Sequence, residues 1–175
     1  MASTTQVHSY HGADPGTPAD VTGITIRHKR NDNDTQDLNN PIPIPAAGST
    51  NYGWRKHTKL NYQTGPNQKV ENLRWFADAD PDSSWTGVTL LAGTIDTYTQ
   101  GTSSDESTAL GNTADSDGYT SGSPLQVQIG IVADSQDSFP TVGAQDFVRS
   151  QLEVAATASP GGITARQTRY RWDEI

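Results

Sequence analysis

Leu125–Ala133 reads LQVQIGIVA. In an extended chain Leu125, Val127, Ile129 and Ile131 share one side, and Gln126 and Gln128 share the other. A period of two is that of a half-buried strand, because a helix puts residues three and four apart on one side. The same reading spreads in both directions. Downstream, Phe147–Ala156 (FVRSQLEVAA) sets Val148, Leu152 and Val154 inward with Arg149 and Glu153 outward. Ile163–Trp172 (ITARQTRYRW) sets Arg166 and Tyr170 opposite Arg169 and Arg171. Upstream lie Val21–Arg30 (VTGITIRHKR), Trp54–Gln63 (WRKHTKLNYQ), Lys69–Ala77 (KVENLRWFA), Gly87–Ala92 (GVTLLA) and Thr94–Thr99 (TIDTYT). Thr64–Asn67 (TGPN) is a turn sequence between two of them. No amphipathic stripe of helical period and no internal repeat interrupts the series. The expectation is an all-β fold, an antiparallel β-sandwich or jelly roll of about eight short strands separated by turns.

At 175 residues the chain suits one domain with a hydrophobic core. Residues 1–20 are polar and broken by Gly12, Pro15, Gly16 and Pro18. They are expected to form an extended N-terminal arm, flexible or ordered by a partner, ahead of a single β-sandwich domain over 21–175. Asn31–Asn40 (NDNDTQDLNN) is a loop composition, rich in side chains that bond their own backbone.

Lys and Arg number 12 against 20 Asp and Glu, a net charge of −8. That balance excludes a nucleic-acid partner bound through counterion release. No apolar run approaches the ~18 residues of a membrane span. With no cysteine, disulfides, thiol catalysis and Cys-ligated zinc are all excluded. Met1–Tyr10 has neither the basic start nor the apolar stretch of a secretory leader, so synthesis in a bacterial cytoplasm is expected.

Catalytic and cofactor motifs are missing: HExxH, GxSxG and a Gly-rich loop before Lys-Ser or Lys-Thr do not occur. His8 and His11 have no carboxylate at metal-ligand spacing. Asp78-Ala79-Asp80-Pro81-Asp82 starts like a calcium loop, but Ser83 and Thr89 stand where Gly and Glu are needed. No catalytic residue, cofactor site or metal site is assigned; solvated turns are the expectation for the Asp-rich stretches, and the sequence does not decide whether one of them binds calcium.

The candidate residues belong to contact surfaces. Pro41-Ile42-Pro43-Ile44-Pro45 lacks three of its five amide donors, so it cannot sit inside a sheet and runs extended. Ile42 and Ile44 then point the same way, either plugging the end of a core or lying as a strap on a neighbouring subunit. In Trp54–Gln63 the alternation sets Arg55, His57, Lys59 and Asn61 on one face. That cationic face is expected to be solvated, or else to meet an acidic partner steered by Arg55 and Lys59. Trp54, Trp75 and Trp172 fall in strand-like runs and read as core. Trp85, in the loop 81–87, is the aromatic expected near the surface.

Taken in order, Asn40–Pro45 (NPIPIP), Tyr52–Lys56 (YGWRK), Val70–Phe76 (VENLRWF), Trp85–Leu90 (WTGVTL) and Tyr170–Glu174 (YRWDE) resemble a family of small virion proteins of tailed bacteriophages and related prophage elements. The resemblance runs from about residue 21 to the C-terminus; the longer N-terminal part and the Asp-rich loops depart from it. It implies a particle component. Together with a Cys-free sandwich reading that has no catalytic constellation, the expectation is a decoration or cement protein on the exterior of the head, bound to the major capsid protein, and closed symmetry makes a homotrimer or dimer the expected assembly. The alternative is a receptor- or glycan-binding module of a tail or head fibre, using Trp85 and the loop 103–123, or a tail or connector component.

Overall fold

The computed structural model describes residues 4–14, 16–33, 35, 37–64, 69–104, 114–134 and 147–174. Ten strands occur among them: β1 (Thr4–His11), β2 (Thr17–Asp20), β3 (Thr50–Tyr52), β4 (Lys56–Thr64), β5 (Lys69–Ala77), β6 (Val88–Ile95), β7 (Ala114–Asp115), β8 (Leu125–Asp134), β9 (Phe147–Ala155) and β10 (Thr168–Glu174). They form two antiparallel sheets. The larger has the order β2-β1-β4-β9-β6-β7, with β3 also paired to β9; the smaller has the order β10-β5-β8. The all-β sandwich expected from the alternation is the fold observed.

The core follows from which face each strand turns inward. Leu60, Ala92 and Val148 of the large sheet meet Leu73, Trp75, Ala77 and Val127 of the small one, with Tyr170 and Trp172 packed against them. Thr58 and Tyr170 join the sheets through a 2.9 Å hydroxyl–hydroxyl hydrogen bond. Along β6 and β9 the same inward face continues as Val88, Leu90, Leu152 and Val154. There the cover consists of Trp85, Ile42, Ala158 and Ile163, all from segments outside the strands. One face of a large sheet is thus roofed partly by a sheet and partly by irregular chain.

Several expectations are corrected. Residues 4–20 are not an arm: β1 pairs with β4 and β2 pairs back onto β1. The polar composition hides an alternation in which Val7 packs on the core. Val21–Arg30 is not a strand. Its amides go instead to a turn (Ile24 N to Val21 O, 3.0 Å) and to loop contacts such as Arg30 N to Asn40 O at 2.9 Å. The expected strands over 87–92 and 94–99 are one, β6, ending at Ile95, and the last strand begins only at Thr168.

In β8 the inward row breaks after Val127. Leu73 pairs with Gln128 but Glu71 pairs with Ile131, so three steps on β8 face two on β5. This bulge, opposite Asn72 with its positive φ of 54°, buries Gln128 and leaves Ile129 80 % exposed. In β9 Arg149 is buried instead of outward, because both faces of that central strand are covered. The expected turn over 64–67 lies mostly outside the described residues.

Candidate interface surfaces

The strap Pro41–Pro45 stays outside both sheets, as its missing amides require. Its two isoleucines part company. Ile42 packs on the Trp85–Leu152 cluster, close enough to Gly53 that a Cβ there would lie 2.8 Å from Ile42 Cδ1. Ile44 is 38 % exposed, and Pro41 and Pro43 are exposed while Pro45 is half-buried. Asn51 Nδ2 donates to Pro43 O at 2.7 Å, fastening the strap to β3.

The cationic face formed by Arg55 and the β4 residues His57 and Lys59 is neither solvated nor open to a partner: Arg55 is 3 %, His57 0 % and Lys59 6 % exposed. Steering by Arg55 and Lys59 therefore fails as an expectation. The reason is a cover laid over the outer face of the large sheet. Arg55 Nη2 donates to Thr99 O (3.0 Å) and Thr99 Oγ1 (2.9 Å), and a Cβ at Gly101 would lie 2.7 Å from Arg55 O. Tyr98 lies edge-on to His57, ring centroids 4.9 Å apart, and donates its hydroxyl to Gly12 O at 2.6 Å. Lys59 Nζ sits 4.4 Å from the Phe147 ring centroid, a cation–π contact strengthened by exclusion of water. Tyr10 meets the same Phe147 ring edge-to-face at 5.1 Å. Burial, then the charges of Arg55, Arg149 and Lys56, push the His57 imidazole down to about 3. It is neutral at physiological pH.

Trp85 is also the reverse of the expectation, at 6 % exposure. Asp82 caps a 3-10 turn over Ser83–Trp85 by accepting from Ser84 N at 2.8 Å. The turn swings the indole inward, where Nε1 donates to Thr164 O at 3.0 Å. Arg166 lies over the indole at 5.6 Å. Its guanidinium bonds Asp78 O, Asp80 (3.0 Å) and Asp117. An arginine therefore occupies the space among the Asp-rich loops. Burial, then the neighbouring Asp117, raises the Asp80 carboxyl above its usual range, against the pull of Arg166. Among the described residues no group of three His, Asp or Glu is placed to hold a metal ion, and no helix is long and apolar enough to cross a membrane.

A further surface, not among the candidate contact residues, is the outer face of the small sheet. Trp75, Tyr170 and Trp172 turn inward, so Arg74 and Phe76 of β5 and Arg169 and Arg171 of β10 turn outward. Arg171 pairs with Arg74 across the ladder, and Arg169 with Phe76. Arg171 lies over the Phe76 ring at 5.9 Å and donates to Ser121 O at 3.1 Å. Arg74 donates to Asn72 O at 2.9 Å and to Asp173. Arg169 bonds Gln167 Oε1 at 2.7 Å and Asp78 at 3.3 Å. The signal was present as arginines alternating with the buried aromatics in RYRW and LRWF.

No protein-family model, curated protein or solved structure matches the chain.

Proposed function

We propose that the chain is a bacteriophage virion structural protein. In this reading it is a decoration or cement protein that binds the major capsid protein lattice on the outside of the head. The observation that carries this is the ordered series of motifs resembling small virion proteins. Those motifs coincide with fold-building positions: Val70–Phe76 falls within β5 and Tyr170–Glu174 within β10. Trp85–Leu90 supplies the capped turn and the start of β6. The strap, with Ile44 outward, agrees with a contact protein.

Such a protein stabilises a shell by mass action: it binds the assembled lattice and not free subunits, so each bound copy favours the assembled state. A trimer or dimer seated on a symmetry axis fits that role, since closed symmetry lets one chain saturate equivalent seams. The alternative, a receptor- or glycan-binding fibre module or a tail or connector piece, loses its proposed Trp85 contact to burial.

The test is a census. Particles induced from the encoding strain are purified and probed with antiserum, and copies are counted by gel densitometry. A head component gives on the order of hundreds of copies on a symmetric lattice, and heads lacking the protein release DNA at lower temperature. A dozen copies or fewer moves the chain to a tail or fibre. Particles without it overturn the proposal.

A further inference from the structure

We propose that the outer face of the small sheet, formed by Arg74 and Phe76 of β5 with Arg169 and Arg171 of β10, is a docking surface for a carboxylate-rich surface of a partner protein. The first ground is charge. Lys29, Arg55, Lys56, Lys59 and Arg149 are buried, and the Arg166 side chain is only 3 % exposed. Apart from Arg27 and Arg30, which are exposed in the segment before the strap, the arginines on the described surface are these three. A chain of net charge −8 thus gathers three guanidinium groups on one sheet face, with Asp173 beside Arg74 and Asp78 beside Arg169 as their carboxylate neighbours.

The second ground is a repulsion only partly offset. Arg74 and Arg171 stand directly opposite each other in the β5–β10 ladder, where like charges disfavour pairing. Asp173 is engaged by Arg74 and by Asn72 Nδ2 (3.0 Å), so it offsets one guanidinium closely and the other at longer range. An incoming carboxylate between the two would remove that cost.

The third ground is preorganisation. Each guanidinium is already held, by Asp173, by Ser121 O with the Phe76 ring, or by Gln167 with Asp78. Little side-chain entropy remains to be lost on docking, and each fork keeps donors suited to bidentate carboxylate recognition. Arginine beside a half-buried aromatic is also the composition of interface hot spots.

The same geometry disfavours other occupants. Arg171 already lies over the Phe76 ring, so a sugar would have to displace it to stack there. A two-fold contact between copies through this face would set arginines against arginines. The inference identifies the chemistry of the lattice contact proposed above and rests on that reading only for the partner's identity.

The probe is hexaglutamate, titrated into the isotopically labelled full chain at low salt. We expect amide shifts confined to β5 and β10, and binding that weakens as salt is added. The double variant Arg169→Gln/Arg171→Gln should bind about tenfold more weakly, while Arg27→Gln/Arg30→Gln stays within about twofold. No binding, or shifts located elsewhere, overturns the inference. So does equal loss in both double variants. Tighter binding of polygalacturonate through the same arginines overturns the protein partner, and salt-sensitive self-association abolished by Arg169→Gln/Arg171→Gln overturns the foreign one. Should the first double variant fail to fold, the shift map of the unsubstituted chain decides alone. The census of particles is independent of this titration, so either idea fails without the other.

Discussion

Lowering the pH from 7 to 4 is expected to strip this protein of stability through an imidazole that never reaches solvent. His57 is 0 % exposed, and neither ring nitrogen has a hydrogen-bond partner. Burial, with Arg55, Arg149 and Lys56 nearby, holds it down at about 3 in the folded chain, against about 6.5 when unfolded. Between those values the unfolded chain binds a proton that the folded chain refuses. The stabilisation is therefore complete above about pH 6.5 and is lost as the pH falls toward 3. One pH unit is worth about 1.4 kcal/mol, so by pH 4 the loss from this one residue is about 3 kcal/mol, against a typical total of roughly 5–15 kcal/mol. The assay is urea denaturation at a series of pH values, comparing the unsubstituted chain with His57→Phe, which keeps an aromatic ring against Tyr98 and Phe147. The difference in stability between pH 7 and 4 should shrink by about 3 kcal/mol in the variant. His57→Gln serves as a second non-titrating variant. Parallel pH profiles for all three chains would refute the reasoning.

Trp85→Ala should cost about 3–5 kcal/mol in denaturant unfolding, since it empties the cluster roofed by irregular chain and removes the bond to Thr164; a loss under about 1 kcal/mol would mean the indole is solvated after all. Gly87→Ala and Gly53→Ala should differ sharply. The first places a Cβ 2.5 Å from Ala158 N at a positive φ of 73°, whereas the second is crowded by the movable end of Ile42 and meets His28 Cβ at an ordinary contact distance of 3.6 Å. Thermal melts should show a drop of several degrees for Gly87→Ala and a smaller one for Gly53→Ala. Ile129→Thr should shift stability by no more than about 0.5 kcal/mol while Val127→Ala costs more than about 1 kcal/mol; equal costs would show that the alternation runs through the bulge.

The legible part of this fold was the part governed by period. Lys69–Ala77 was bounded correctly because Leu73, Trp75 and Ala77 alternate with Arg74 and Phe76 over a full strand, and the sheets meet along that row. The bulge in β8 was not legible, because a change of register depends on the partner strand and on Asn72 adopting a left-handed backbone. The burial of Arg55, His57 and Lys59 was hidden for a related reason. Alternation says which residues share a face, but not what lies on it, and the cover comes from Tyr98–Gly101, some forty residues later, over Arg55 and His57 and from Phe147 over Lys59. Trp85 was misplaced because a loop was equated with the surface, whereas the Asp82 cap turns the indole inward. The N-terminal strands are masked by composition: Gly12 and Gly16, both at positive φ, lie between β1 and β2, while Pro18 sits within β2 opposite Tyr10, so the breaker residues hide two flanking strands.

The strand order β4-β9-β6 has a temporal side. Phe147–Ala155 is the staple between two ribbons that do not touch each other in the ladder, yet it leaves the ribosome last of the three. Until it emerges, neither neighbour has that edge satisfied, and from the completion of Val88–Ile95 to the arrival of Phe147 the nascent polypeptide carries two open hydrogen-bonding margins. Closure then comes in one late step that joins residues about ninety positions apart, as in the pairing of Thr58 with Val148. Such long-range zippering is slow, and the waiting margins are where misassembly of a growing chain begins.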